Sequence, residues 1–363
     1  MSLSVVLAGG GTTGHIAPLL ALADCLRRRD PATKITALGT AEGLEARLVP
    51  AAGYDLELMP RVPMPRKPSP ALLHLPGNLK AAIDAAAAVL EGADVLVGFG
   101  GYVSSPAYLA ARRLGVPFVV HEANASPGLA NKLGARFTPH VAVTFPGTPL
   151  RHAQVIGLPL RRQITMLDRD SQRETARVAL GLKPNQTTLF VTGGSLGAQR
   201  LNETFGRSAW LLHGAGVQVL HTAGRGKTVL FDDGDQPPNY LVTEYLDRMD
   251  LAYAAADMVV CRSGAGNVSE VTALGLPAAY VPLPIGNGEQ RHNAEPVVRA
   301  GGGLLVDNDA CDPIWVANTL LPILNDPQRL WAMGDAAARF GIRDADERLA
   351  SMVEVAAGRG GHR

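Results

Sequence analysis

Two glycine-rich segments, Gly9-Gly10-Gly11-Thr12-Thr13-Gly14-His15 and Gly193-Gly194-Ser195-Leu196-Gly197-Ala198, each follow a short apolar run and each lead into an amphipathic stretch. Glycine permits the sharp turn from strand to helix and leaves backbone N–H groups open at the helix start, where anions are favoured. A chain that makes this turn in both halves is expected to build two strand-loop-helix domains with a shared ligand.

The rhythm around the loops agrees. Ser4 to Leu7, Ile35 to Leu38, Asp94 to Val97, Phe118 to Val120 and Val141 to Thr144 read as strands, with helical stretches such as Ile16 to Arg29 and Asn78 to Leu90 between them. Strands apolar on both faces imply a parallel sheet covered on both sides. After a polar stretch from Arg161 to Arg177 the pattern restarts with Leu189 to Thr192, Val217 to His221, Met258 to Cys261 and Ala278 to Val281. The expected fold class is α/β with two Rossmann-like domains, a number that 363 residues at 47% hydrophobic content can supply with cores. Gly157-Leu158-Pro159-Leu160-Arg161 suits a hinge. The segment from Trp331 to Ala357 is helical in pattern and suits packing on either domain.

Composition removes several functions. The 34 Lys and Arg against 33 Asp and Glu create no global field for nucleic acid, so no nucleic-acid partner is expected. Cys25, Cys261 and Cys311 have no CxxC spacing, which argues for buried reduced thiols and against a disulfide framework or zinc site. The first residues read as a strand and not as a signal peptide, so a cytoplasmic protein is expected. The apolar stretch from Ala81 to Gly101 is interrupted by Asp84, Glu91 and Asp94, so membrane contact is expected to be peripheral. Such contact is suggested between Met59 and Ile83, where no acidic residue occurs. Arg61, Arg66, Lys67 and Lys80 are interleaved there with Leu72, Leu73, Leu75 and Leu79. Basic groups beside leucines suit an anionic membrane surface; a proline-rich loop entering a core-facing helix explains them as well.

Within the loops, the first is not a GxGxxG followed about twenty positions later by an acidic residue at a second strand end, so it does not make the full fingerprint of a dinucleotide fold. His15 stands at a helix N-terminus, where the dipole disfavours imidazolium and suits the ring to accept a proton; a hydrogen-bonding structural histidine is the alternative. The second loop lacks the lysine of a P-loop, and Ser195 can donate to a phosphate oxygen. A third turn, Cys261-Arg262-Ser263-Gly264-Ala265-Gly266-Asn267-Val268-Ser269-Glu270, again frees donors at a helix start. Glu270, one turn in, suits either ribose hydroxyls or the helix dipole. Asp233-Gly234-Asp235 and Asp307-Asn308-Asp309 have DxD spacing but lie in turns where solvated acids are common, so no metal site is expected.

Taken together, the first loop, Gly100-Gly101-Tyr102-Val103-Ser104, His121-Glu122-Ala123-Asn124, the second loop and the turn to Glu270 resemble the bacterial MurG family of peptidoglycan glycosyltransferases along essentially the whole chain. The resemblance implies a GT-B architecture: two Rossmann-like domains facing a deep cleft. Residues 1–160 would form an acceptor and membrane-binding domain, 161–339 a UDP-GlcNAc-binding domain, and a C-terminal helix at about 340–363 would pack back on the first. It also implies UDP-GlcNAc as donor and undecaprenyl-pyrophosphoryl-MurNAc-pentapeptide (lipid I) as acceptor. The family works without a cofactor, at the cytoplasmic face of the plasma membrane, by inverting displacement.

By motif, the resemblance makes His15 the base and puts Thr12, Thr13, Gly14, Asn124 and Arg161 near the substrates. Gly101, Tyr102 and Glu122 fall on the acceptor side. Ser195, Leu246, Ala265, Gly266, Asn267, Val268, Ser269, Glu270 and Gln290 fall on the donor side. Thr13, Leu196 and Glu289 depart from the residues common in the family, and His140 stands where lysine is frequent. A UDP-GlcNAc 2-epimerase and a non-enzymatic nucleotide-sugar binding protein are the rival readings of the same fold.

Overall fold

The computed structural model describes residues 2–62, 75–194, 197–232, 234–284 and 288–359. The chain divides into two units, Met1–Arg161 with Arg343–Arg363, and Arg162–Ile342.

The first unit runs β1 (Ser4–Ala8), α1 (Thr13–Arg29), β2 (Lys34–Gly39), α2 (Glu45–Ala51), β3 (Asp55–Leu58), α3 (Leu75–Leu90), β4 (Val95–Gly98), α4 (Gly101–Leu114), β5 (Phe118–Glu122), α5 (Leu129–Gly134), β6 (Val141–Val143) and β7 (Ala153–Val155). The strands form a parallel sheet in the order β3-β2-β1-β4-β5-β6-β7. Successive strand residues point to opposite faces. Val5 and Leu7 therefore pack with Ile16, Leu19, Leu22 and Leu26 of α1, while Val6 and Ala8 pack with Ala82, Ala86 and Leu90 of α3 and with Val103 and Tyr108 of α4. Both faces are core, which is why β1 carries no polar alternation.

The second unit runs α6 (Arg162–Thr165), α7 (Arg169–Ala179), β8 (Thr188–Thr192), α8 (Gln199–Arg207), α9 (Ala209–Gly214), β9 (Gln218–Thr222), β10 (Tyr240–Thr243), α10 (Met249–Ala255), β11 (Met258–Cys261), α11 (Ala265–Ala273), β12 (Ala278–Tyr280), α12 (Glu289–Arg299) and β13 (Gly303–Leu305). It closes with α13 (Pro313–Trp315) and α14 (Leu321–Leu324) on either side of a π-helical turn, Val316–Leu320, and with α15 (Pro327–Phe340). Its parallel sheet has the order β10-β9-β8-β11-β12-β13. The polar stretch after Arg161 folds because its charges have partners. Asp168 caps α7 by accepting from Ser171 N, and buried Arg177 donates to Ala255 O and Pro184 O and pairs with Asp257 at 2.7 Å.

The helical pattern from Trp331 to Ala357 is two helices, not one. α15 stops at Gly341, where a Cβ would lie 2.3 Å from the carbonyl oxygen of Thr272. The chain then enters α16 (Ala345–Ala356), which belongs to the first unit and packs on α1. Leu349, Ala350 and Val353 join the α1 core, and the basic end of α1 meets the acidic start of α16. Arg28 pairs with Asp346 at 2.9 Å, and Arg29 with Glu347 at 2.8 Å and Glu354 at 3.0 Å. Half-exposed ion pairs of this kind contribute little each, whereas burying one leucine contributes about 1.5–3 kcal/mol. The apolar face of α16 is the main tie.

Candidate active site

In each sheet the first strand lies in the middle, and the chain builds outward in one direction before returning to its other side. The reversal falls between β1 and β4 in the first unit and between β8 and β11 in the second. Loops leaving the carboxyl ends of such neighbours diverge and open a crevice, where open α/β sheets bind ligands. Residues 9–12 and 99–100 border the first crevice, and Gly193, Gly194, Gly197 and Ala198 with residues 262–264 border the second.

At the first crevice α1 begins at Thr13, three residues before the composition of its helix suggests, and Pro18 lies in its second turn. His15 is consequently in the first turn, half-buried, with Nδ1 2.9 Å from the carbonyl oxygen of Gly10 and 3.3 Å from Thr12 Oγ1. A carbonyl only accepts, so Nδ1 carries the proton of the neutral ring and the lone pair sits on Nε2. The ring lies against a second glycine pair. A Cβ on Gly100 would be 3.3 Å from Nε2, and one on Gly101 would be 3.2 Å from Nδ1 and 2.6 Å from Gly10 O. Thr12, Thr13 and Gly14 are exposed beside it.

The loop is braced from below by a residue that no motif signalled. Glu45, 0% exposed, accepts from Gly11 N at 3.0 Å and from Thr40 N and Thr40 Oγ1, both at 3.1 Å. Tyr102, half-buried at the start of α4, adds its hydroxyl at 3.4 Å. Burial pushes the Glu45 carboxyl up, but hydrogen bonds from the amides of Gly11, Glu45 itself and Thr40, and from the Thr40 hydroxyl, outweigh it and hold it below the usual carboxylate range. The sequence carries no signal for it: its turn of helix also holds Arg47 and reads as an ordinary helix start.

A second buried carboxylate organises the loop after β5. Glu122, 3% exposed, accepts from Asn124 N at 2.9 Å and Gly128 N at 3.0 Å and from Asn131 Nδ2 at 2.9 Å. It presents Asn124, half-buried, at the loop's turn. Glu122 thus shapes this loop through its backbone. The adjacent His121 is fully buried, with Nε2 donating to Gly157 O at 3.1 Å and its pKa pushed down to about 4, mainly by burial.

At the second crevice the turn after β11 is built differently. Buried Arg262 donates to Val281 O and Pro282 O at 3.0 and 3.1 Å, which pins the strand end, and Asn267 Nδ2 donates to Arg262 O at 2.8 Å. Gly264 is the N-cap of α11, and no side chain caps the helix. The first turn of α11 holds no acid, and a Cβ at Gly264 or Gly266 would meet nothing within 4 Å. The leading N–H groups of Ala265, Gly266 and Asn267 therefore have no intrahelical acceptor and border open space, an arrangement suited to an anion. Val268 and Ser269 turn into the unit. Glu270, half-buried, accepts from Tyr253 OH at 2.9 Å, which orients the carboxylate; Tyr253 is another residue without a sequence signal.

Elsewhere in this unit, Gln290 near the start of α12 accepts from Leu283 N at 3.0 Å, and Leu246 lies half-buried between β10 and α10. The loop after β8 turns on Gly194 and Gly197, both at positive φ, with Gly197 so close to Ala223 that a Cβ would lie 2.0 Å from its carbonyl oxygen.

The remaining expected residues are dispersed. Arg161 is exposed, the last residue of its stretch of the first unit. Ser195 and Leu196 lie outside the described residues, as do Arg66, Lys67, Leu72, Leu73 and Asp233. Leu75 and Leu79, both in α3, are half-buried and pack against the core on that side of the sheet, and Lys80 is exposed. Asp307 pairs with Arg291. The described residues contain one cluster with metal-holding spacing, Cys25, Asp346 and Glu347. Its acids are engaged by Arg28 and Arg29, and its thiol is pushed up to about 12 by burial and by Glu347.

Residues 5–143 match the glycosyltransferase family 28 N-terminal domain and residues 188–349 its C-terminal domain. A UDP-N-acetylglucosamine–N-acetylmuramyl-(pentapeptide) pyrophosphoryl-undecaprenol N-acetylglucosamine transferase from Streptomyces avermitilis is 60% identical, covering 96% of this chain and 97% of the relative. The protein of the same name from Streptomyces coelicolor gives the same identity and coverage. Among solved structures, MurG of Acinetobacter baumannii matches with a TM-score of 0.76 at 27% identity, over 97% of this chain and 99% of that one.

Proposed function

The chain belongs to glycosyltransferase family 28, and on that premise we propose that it transfers N-acetylglucosamine from UDP-N-acetylglucosamine to the C4 hydroxyl of MurNAc in undecaprenyl-pyrophosphoryl-MurNAc-pentapeptide. The product is the disaccharide lipid of peptidoglycan synthesis. What carries the reading at the level of atoms is His15, whose Nδ1 is committed to Gly10 O and whose Nε2 is thereby the basic nitrogen.

In this reading Nε2 takes the proton from the acceptor hydroxyl as its oxygen attacks C1 of the sugar from the face opposite UDP, so the anomeric centre inverts. The negative charge that develops on the departing diphosphate is met by the open N–H groups at the start of α11, with Ser195 donating from the neighbouring loop. Glu270, held by Tyr253, takes the ribose hydroxyls; Leu246 lies by the base, and Gln290 reads the sugar. Thr12, Thr13, Gly14, Gly101, Tyr102, Asn124 and Arg161 face the acceptor and transferred sugar. Domain 1–160 is the acceptor domain, completed by the returning helix, and 161–339 the donor domain. The basic, leucine-containing stretch from Met59 to Lys80 is the proposed contact with anionic lipid at the cytoplasmic face of the membrane.

Incubation with labelled UDP-N-acetylglucosamine and a soluble lipid I analogue tests the reading. A product heavier by one N-acetylhexosamine, with stoichiometric UDP, is expected. Conversion of the donor to its 2-epimer without acceptor would establish the epimerase reading instead, and a bound donor that never turns over the binding-protein reading.

A further inference from the structure

The contacts of His15 and Glu45 meet on one peptide group. The carbonyl that receives His15 Nδ1–H, at 2.9 Å, is that of Gly10, and the N–H that Glu45 Oε2 receives, at 3.0 Å, is that of Gly11. C=O of Gly10 and N–H of Gly11 belong to the same planar, resonance-coupled unit. We propose that Glu45 is a positioning residue for the transfer, acting on His15 through the Gly10–Gly11 peptide as a carboxylate–peptide–imidazole relay. The inference rests on the reading of His15 as the base.

The chemistry follows from polarisation along a hydrogen-bonded chain. A carboxylate that accepts from the peptide N–H draws the amide towards its charge-separated form, and the carbonyl oxygen at the other end becomes more negative. That oxygen faces the ring N–H. The interaction is stronger with imidazolium than with imidazole, so the relay stabilises the state His15 reaches when it has taken the acceptor's proton. It also fixes the tautomer and the ring plane.

The surroundings are arranged for this and leave little slack. Thr40 N, Thr40 Oγ1 and Tyr102 OH hold the other carboxylate oxygen, so Oε2 stays on Gly11. Gly10 has no room for a side chain, since a Cβ would lie 2.5 Å from Glu45 Oε1. Gly101 presses on the same carbonyl from the far side, where a Cβ would lie 2.6 Å from it. Glu45 from α2 and Tyr102 from α4 meet at the loop under the ring, and His121 of β5 lies within its field; on the Nε2 side a Cβ on Gly100 would also meet Asn131 Nδ2, which donates to buried Glu122 of β5, and Arg61 lies over the Tyr102 ring at 5.4 Å. Burial keeps His121 neutral, so the ionised neighbour coupled to His15 through bonds is Glu45.

The test compares Glu45→Gln with wild type in the transfer assay across pH, with unfolding temperature and UDP-N-acetylglucosamine affinity as checks on folding. Without the carboxylate the imidazolium loses support. The acid limb of kcat should therefore move about one unit lower and plateau turnover should fall on the order of tenfold, with the donor KM within about twofold. A plateau that drops with the limb unmoved would assign Glu45 a structural role only and overturn the relay. Should Glu45→Gln not fold, the wild type decides: with 15N-labelled His15, the neutral ring must show the Nδ1–H tautomer, and an Nε2–H tautomer overturns the relay. His15→Ala separates the two claims. Normal turnover in that variant removes the base itself, whereas lost turnover beside an unshifted Glu45→Gln limb removes only the relay.

Discussion

The loop after β1 and the turn after β11 occupy the same position in their sheets, each at a reversal of strand order and each opening a helix. Their furnishing is opposite. In the first, the Gly11 amide is consumed by a buried carboxylate and the Gly10 carbonyl by an imidazole, so the loop approaches its ligand with a lone pair and a negative charge behind it. In the second, the cap residue is a glycine, the first turn holds no acid, and the space before it is open. The second arrangement suits an anion, and the first leaves fewer backbone donors for one. Topology supplies a crevice twice; which ligand it suits is decided by what occupies the backbone donors around it.

The largest effect expected from breaking this asymmetry is at His15. His15→Ala should reduce turnover roughly 10²- to 10⁴-fold, while calorimetry gives unchanged UDP-N-acetylglucosamine affinity; a parallel loss of affinity would place His15 on the donor. Next is acid sensitivity. Each sheet hides a neutral histidine, His121 at about 4 and His221 at about 3 against an ordinary 6.5, both depressed by burial. The unfolded chain takes up protons between pH 6.5 and those values and the folded chain does not, so stability falls as pH falls through that window and is insensitive to these groups above it. For His121 the loss should reach roughly 3 kcal/mol by pH 4, and His121→Gln should flatten that part of the pH–stability curve measured by denaturant unfolding.

In the second unit, Glu270→Ala should weaken UDP binding about 10- to 100-fold, the scale of a charged hydrogen-bond pair, with acceptor KM unmoved. Unchanged UDP affinity by calorimetry would cancel the ribose assignment. The smallest and sharpest contrast uses one methyl group twice. Gly101→Ala meets the Gly10 carbonyl at positive φ and should cost about 1–3 kcal/mol of stability, whereas Gly266→Ala, in open space within a helix, should change stability by less than about 1 kcal/mol. Equal melting shifts for the two would show that the first loop is as open as the second.

What could be read before folding tracks burial on two sides. The strands evident in composition, such as Val95–Gly98 and Met258–Cys261, are interior, where every residue faces a core. Those that went unseen, Asp55–Leu58, Ala153–Val155, Tyr240–Thr243 and Gly303–Leu305, are the four edges of the two sheets. An edge strand is short and half-wet, so it has neither a continuous apolar run nor a long alternation to betray it. The start of α1 was hidden because Thr13, Gly14 and His15 are weak helix formers held there by the loop. His15 and Glu270 stood out because they sit in glycine-rich contexts. Glu45 and Tyr253 did not, because nothing local distinguishes an acid or tyrosine whose role comes from a partner 34 or 17 positions away.

The return of α16 to α1 also sets an order of events at the ribosome. The second unit is a continuous stretch and has all its residues once Ile342 has emerged. The first is interrupted by it, and the surface around Leu22 and Leu26 waits for Leu349 and Val353. At about 5–20 residues per second of synthesis, roughly 10–40 s separate the last strand of the first sheet from its closing helix. The part of the chain made first is thus the part finished last, and through that interval the apolar flank of α1 lacks its cover.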